Sequence, residues 1–290
     1  MNEIKKVGFI GLGVMGFPMA GWLSKEFDCT VFNRDKIKAD KWIEQYQGAI
    51  TEDFALLFKT CDAVVTCLRD DESLRALLID SKVLSTMKNG ALLIDHTTAS
   101  ETIAKELHLL AEKNQIGFLD APVSGGESGA VNGQLTVMVG GDQQIYNKAK
   151  PILDCYSKRH VLIGEGGHGQ LAKMVNQIAL AGLIQGLSEA LAFGEKSGID
   201  IGRVVEAISQ GAAQSWQMDN RAHTMLQDEF DFGFANELMN KDLLLCIDVA
   251  KRNNISLPVL GLVQKLYERL IQKGHPRWDT SSLINLIRDP

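Results

Sequence analysis

The apolar run Val7-Gly8-Phe9-Ile10 passes directly into Gly11-Leu12-Gly13-Val14-Met15-Gly16. Few local patterns constrain a fold more. A short buried strand must end at Gly11, turn tightly, and enter a helix whose first turn begins near Gly16. In G-x-G-x-x-G, the first glycine permits the turn and the second lets backbone approach a pyrophosphate. The third lets the helix pack closely on the strand. Free N–H groups at the helix start, with the helix dipole, favour bound phosphate. The position after a strand and before the helical segment Phe17 to Glu26 predicts a dinucleotide site. The alternative is a glycine-rich turn that binds nothing.

The rest of the first half alternates short apolar runs with helical stretches. Strands are expected at Thr30 to Asn33, Ala63 to Leu68, Ala91 to Asp95, Gly117 to Asp120 and Leu135 to Val139. Helices are expected at Ser73 to Leu78 and Glu101 to Asn114. This alternation predicts an α/β domain with a doubly wound parallel Rossmann sheet, covered on both faces. From Gln170 onward the pattern turns helical. Gln170 to Lys196 reads as one helix, apolar on most faces and about 40 Å long. Further helices are expected at Ile201 to Gln210, Phe234 to Asn253 and Leu257 to Lys273, with Pro258 suited to a first turn. The predicted organisation is a dinucleotide-binding domain over 1–164 and an all-α domain over 165–290, built on one long interdomain helix. Between them Gly164-Glu165-Gly166-Gly167-His168-Gly169 reads either as a linker or as a loop that lets a ligand approach.

Bulk composition narrows the function. With 290 residues, 45% hydrophobic and 23% charged, the chain reads as an ordinary soluble protein. A net charge of −6 without a basic run argues against nucleic acid as a partner. The stretch Ile178 to Leu187 is too short to span a bilayer, so no membrane is expected. The start Lys5-Lys6 is explained by the fingerprint rather than by a signal peptide. Five cysteines with no C-x-x-C and no His at ligand spacing suggest reduced thiols, a cytoplasmic location and no metal.

Three further groups carry candidate chemistry. The second strand ends in Asn33-Arg34, where NAD enzymes place an acid on the ribose 2′-OH, and Asp35 comes too late for that. An Arg there suits a 2′-phosphate, which predicts NADP(H) preferred with NAD(H) possible. Next, Asp120-Ala121-Pro122-Val123-Ser124-Gly125-Gly126 follows a strand, at the sheet edge where ligands collect. The Ser124 hydroxyl and the bare backbone of Gly125 and Gly126 could hold a carboxylate; an ordinary turn is the alternative. Finally, Lys173 lies inside the long apolar helix, with Asn176 at i+3 and Gln177 at i+4 on the same face. It is either a snorkelling edge residue or a functional cation. An ammonium placed beside a carbonyl can donate a proton to the oxygen that gains charge during hydride transfer, and its neutral form can remove one. Lys241-Asp242 is a further candidate. Trp216 either lines a pocket or, more in character, fills the helical core.

Taken together, these segments resemble the β-hydroxyacid dehydrogenases. Residues 8–20, 120–126, 167–177 and 241–243 match that family's motifs in order and spacing. The resemblance implies that Lys173 is the catalytic lysine, assisted by Asn176. It implies a substrate-carboxylate loop at Ser124, Gly125 and Gly126, with Gln177, Trp216 and Asp242 beside the substrate. Leu12, Val14 and Met15 would lie along the pyrophosphate with Gly11, Gly13 and Gly16. Leu68 and Thr98 would flank the nicotinamide, with Phe234 and Lys241 closing over the cofactor. The implied partner is a small carboxylate-bearing substrate such as 3-hydroxyisobutyrate, glyoxylate, tartronate or succinic semialdehyde, or serine. A homodimer or homotetramer through the helical domain is also implied. Two departures stand out: Gln177 where the family usually has a second Asn, and Asp231-Phe232 where a proline is common. A non-catalytic dinucleotide-binding regulatory protein, or an imine reductase, would be expected to lack Lys173.

Overall fold

The computed structural model describes residues 3–289. The chain divides into two compact units, Met1–Lys173 and Met174–Pro290.

The first unit is built on a nine-stranded sheet: β1 (Lys6–Ile10), β2 (Asp28–Phe32), β3 (Ala49–Ile50), β4 (Ala63–Thr66), β5 (Leu92–Asp95), β6 (Gly117–Asp120), β7 (Val123–Ser124), β8 (Leu135–Gly141) and β9 (Ser157–Gly164). Their order is β3-β2-β1-β4-β5-β6-β8-β7, with β9 on β8. The strand order reverses between β1 and β4, which places a crevice at the carboxyl ends of those strands. Alternate residues of each central strand serve opposite faces. Val7, Phe9, Val65 and Ile94 join a cluster around Trp42 and Leu23. Ile10, Val64 and Leu93 join one around Phe58 and Leu107. Burial on both faces is why these runs read as continuously apolar. Each buried Leu, Val or Phe contributes about 1.5–3 kcal/mol.

The doubly wound parallel core is as expected, but the sheet is not parallel throughout. β6 and β7 both pair antiparallel with β8. Only the six-residue helix Gly126–Val131 and a turn at Gly133 separate β7 from β8. That is too short for a crossover between parallel neighbours. The sheet also extends one strand beyond the one expected at Leu135 to Val139. β9 adds parallel to β8, with Lys158 and Arg159 exposed along it; such charges blunt a sheet edge.

The second unit is helical. The 29-residue helix His168–Lys196 starts in the first unit and continues into the second. It is followed by Ile201–Ile208, Trp216–Leu226, Asn236–Arg252 and Pro258–Gln272. Leu187, Leu191, Met218, Met225, Phe230 and Ile284 form a core of this unit. Arg288 ties the C-terminal turn to the long helix through Glu195, with Nε–Oε2 at 2.9 Å. The helix at Trp216 was not read from the sequence. It is capped by Ser215, whose hydroxyl accepts the Met218 N–H at 3.1 Å. The expected helix at Phe234 starts two residues later. Phe234 N–H donates to Asp279 and Asn236 N–H to the Trp278 carbonyl, which holds that entry extended.

Candidate active site

The glycine turn does what its sequence implies, with each glycine placed differently. Gly11 has φ +103°, and a Cβ there would stand 2.3 Å from the Cys67 carbonyl oxygen. A Cβ on Gly16 would stand 2.0 Å from the Gly11 oxygen and 2.9 Å from the Phe9 ring, so the helix sits directly on β1. At Gly13 a Cβ would meet nothing within 4 Å. Gly13 and Val14 are exposed, Met15 is half-buried, and Leu12 is buried. In the first turn of the helix Gly16–Leu23 the Phe17 and Met19 N–H groups donate to the Gly13 and Met15 carbonyls at 3.0 and 3.3 Å and Pro18 has no N–H, so the candidate anion donors are the N–H groups of the turn itself, up to Gly16. Open space above Gly13 beside such donors fits a pyrophosphate.

Asn33, at the end of β2, holds this turn. Its Oδ1 accepts the Leu12 N–H at 2.9 Å, and its Nδ2 donates to the Asp35 carbonyl at 3.0 Å. The neighbouring Arg34 is exposed. Asp35 is occupied as a helix cap, accepting the Ile37 N–H at 3.1 Å.

A buried polar network lies behind the crevice. Asp95, at the end of β5, is 1% exposed. Its Oδ1 accepts the hydroxyls of Thr66 at 2.7 Å and Thr97 at 2.6 Å. Thr97 Oγ1 in turn accepts the Leu68 N–H at 2.9 Å. Leu68 also lies against the turn, its Cδ2 3.2 Å from where a Gly11 Cβ would be. Thr98 follows, half-buried. Burial pushes the Asp95 carboxyl up to about 7, against the pull of the threonine donors. Between about pH 4 and pH 7 the folded state then holds a proton that the unfolded state has released. Stability contributed by this group is complete below about pH 4 and falls as pH rises to about 7, by at most ~1.4 kcal/mol per pH unit. Asp95→Asn keeps the Oδ1 acceptor, and urea melts from pH 4 to 8 are expected to show that slope removed. A variant with the wild-type slope would refute the assignment.

Lys173 is 8% exposed, and its Nζ donates to the Val123 carbonyl at 2.9 Å. Fifty residues of sequence separate the two. This bond brings the lysine to the residue before Ser124-Gly125-Gly126. Ser124 is half-buried on β7, and Gly125 and Gly126 are exposed with φ of +128° and +62°. A Cβ on Gly126 would meet nothing within 4 Å. An amine, a hydroxyl and unobstructed backbone thus meet at one edge of the sheet.

In the second unit, Asn176 and Gln177 follow along the same helix. Asn176 Nδ2 donates to Gln177 Oε1 at 2.8 Å, and Gln177 Nε2 donates to Asp242 Oδ2 at 2.7 Å. Gln177 is 1% exposed, with both ends of its amide engaged inside this unit. Lys241 Nζ stands 2.9 Å from Asp242 Oδ1, without hydrogen-bond alignment. Trp216 is not a core residue. It is 49% exposed, with the Arg221 guanidinium 5.0 Å over its ring. Arg221 pairs with buried Asp279 at 3.3 Å, and Asp279 also accepts the Phe234 N–H. Trp216 and Phe234 therefore belong to a cluster around Arg221 and Asp279.

Asp120, His108, Gln170, Asp95 and Thr97 make buried or half-buried polar contacts here that were given no role from the sequence. The signal for Asp120 was present: an acid closing a strand, with glycines clustered before a long helix.

Two family models cover nearly the whole chain. The NAD binding domain of 6-phosphogluconate dehydrogenase matches residues 6–164. The NAD-binding domain of NADP-dependent 3-hydroxyisobutyrate dehydrogenase matches residues 167–287. An uncharacterized oxidoreductase of Shewanella frigidimarina is 50% identical, covering 96% of this chain and 97% of its own. The 2-hydroxy-3-oxopropionate reductase of Escherichia coli is 32% identical, covering 97% of each. Among solved structures, the 3-hydroxyisobutyrate dehydrogenase of Mycobacterium tuberculosis with L-serine superposes with a TM-score of 0.89. It is 29% identical, covering 98% of this chain and 99% of that one. End-to-end agreement with both domain models and with these relatives makes this chain a nicotinamide-dinucleotide-dependent oxidoreductase acting on CH–OH groups, a member of the β-hydroxyacid dehydrogenase family.

Proposed function

We propose that the protein interconverts a small β-hydroxy acid and its semialdehyde or keto acid, as 3-hydroxyisobutyrate dehydrogenase does, with Lys173 as the proton donor and acceptor. The observation that carries this reading is the buried Lys173 amine, 2.9 Å from the Val123 carbonyl and adjacent to Ser124. When bound, the nicotinamide supplies hydride transfer. The residues do the rest. Ser124 and the N–H groups of Gly125 and Gly126 bind the substrate carboxylate. The Val123 carbonyl orients one N–H of Lys173. In oxidation the neutral amine removes the hydroxyl proton as the carbon loses hydride, and in reduction the ammonium returns it to the oxygen.

A second reading of the same site is a semialdehyde reductase, for glyoxylate, succinic or tartronate semialdehyde, or a serine dehydrogenase. It is supported by the E. coli relative's name and by the L-serine in the M. tuberculosis structure. Absorbance at 340 nm, followed for each of these substrates with NADH, NADPH and their oxidised forms, separates the readings. Turnover of none of these small acids would end both.

For the cofactor we propose NADP(H), on the exposed guanidinium of Arg34 beside Asn33 and the use of Asp35 as a helix cap. Arg34→Ala is expected to raise KM for NADPH by about 10-fold or more while leaving KM for NADH within about twofold. Equal effects on both would assign Arg34 to the solvated surface. A homodimer or homotetramer is proposed on the apolar stripe of the long helix, where Val175, Leu183 and Phe193 are exposed. Light scattering after size exclusion tests it.

A further inference from the structure

We infer that Asp120 is a positioning residue for Lys173: its buried carboxylate seats the first turn of the helix from which the lysine projects. The inference rests on the reading of Lys173 given above and adds a residue that acts only through it.

Asp120 closes β6 and is 0% exposed. Its Oδ1 accepts the Gly167 N–H at 2.8 Å, and its Oδ2 accepts the Gln170 N–H at 2.9 Å. His108 Nε2 lies 3.0 Å from Oδ1. A carboxylate here satisfies two orphan N–H groups at the helix start and complements the helix dipole. The surrounding glycines are shaped to this contact. A Cβ on Gly140 would stand 2.5 Å from Asp120 Oδ1, and one on Gly169 2.3 Å from the Asp120 carbonyl oxygen. On Gly166 it would stand 2.3 Å from the His108 ring. The glycine-rich approach to the helix thus makes room for Asp120 and His108.

The Gln170 side chain adds a second tie. Its Oε1 accepts the Ala99 N–H at 3.0 Å, and its Nε2 donates to the Thr97 carbonyl at 2.7 Å. Lys173 lies three residues, less than one turn, beyond Gln170. β6 also leads through Ala121 and Pro122 to Val123, whose carbonyl takes the lysine. Asp120 therefore holds the helix at one end of a short strap whose other end receives the amine. A shift of the helix start moves Nζ relative to Val123 and Ser124, and small misplacements of a catalytic group cost rate heavily.

Asp120→Asn keeps one acceptor oxygen but turns an amide N–H₂ toward a backbone N–H. The test is reductive methylation of the full-length protein with formaldehyde and a borane, read by peptide mass spectrometry, alongside steady-state kinetics. In Asp120→Asn, Lys173 is expected to be methylated about fivefold faster or more, with exposed Lys38 unchanged. In the same variant kcat falls about 30-fold or more while KM and cofactor affinity stay within about twofold. A folded Asp120→Asn with wild-type reactivity at Lys173 overturns the inference. Should that variant show no cooperative melt, His108→Phe decides by the same labelling. It keeps the ring packing on Phe118 but removes the donor, and unchanged Lys173 reactivity overturns the inference. Labelling does not depend on turnover. Full activity in Lys173→Ala would therefore sink the proposed role of the lysine and leave the labelling result standing.

Discussion

Replacing Lys173 by alanine is expected to cut kcat by about 10²–10⁴-fold, with cofactor affinity nearly unchanged. On the proposed mechanism the amine moves the hydroxyl proton, and its loss removes general acid–base catalysis. The cofactor turn around Gly11 to Gly16 is built from other residues and should bind as before. Removing the amine also leaves the Val123 carbonyl without this donor, which costs about 1 kcal/mol of stability. Lys173→Met is the control, because it keeps the length of the stem and much of its packing. Both variants should lose turnover together while their melting points stay close to wild type. Steady-state rates at 340 nm and cofactor fluorescence titration read the two quantities separately. A Lys173→Met enzyme with wild-type kcat would remove the lysine from the reaction.

The second large effect is at Gly11. An alanine there must adopt φ near +103° and bring its Cβ to 2.3 Å from the Cys67 carbonyl, a backbone atom at the end of β4. Positive φ and overpacking each cost about 1–3 kcal/mol, so a total loss of about 3–5 kcal/mol is expected. Gly13→Ala makes the useful comparison. Its Cβ meets nothing within 4 Å, so folding should be unaffected and the loss should fall on cofactor binding, by about 10-fold or more. Urea melts with and without NADPH distinguish the pair. If Gly13→Ala binds NADPH as tightly as wild type, the pyrophosphate does not lie over this turn.

Local pattern explains how much was legible. Strand runs such as Val7 to Ile10 and Ala63 to Thr66 are apolar because both faces of the sheet are covered, and that shows in a few consecutive residues. The glycine fingerprint is equally local, since the positive φ of Gly11 and the close approach of Gly16 act within six residues. β9 was overlooked because an edge strand carries exposed Lys158 and Arg159 among its apolar residues. Of the two readings of Trp216 the core one fails: a large aromatic side chain suggests a core, whereas here the residue is exposed and Arg221 lies over its ring.

The sequence by itself determined the alternation of strands and helices, the dinucleotide turn, the long helix and the family's four motifs. Each depends on residues close together in the chain, where periodicity and backbone sterics act directly. Only the tertiary structure decided that β8 runs antiparallel to β6 and β7, that Gln177 is locked between Asn176 and Asp242, and that the Lys173 amine meets the Val123 carbonyl. It also decided that the glycines before the long helix accommodate Asp120 and His108. Apart from the neighbouring Asn176 and Gln177, those contacts join residues far apart in the chain, through hydrogen bonds and close approaches that exist only once the strands have paired and the helix has docked.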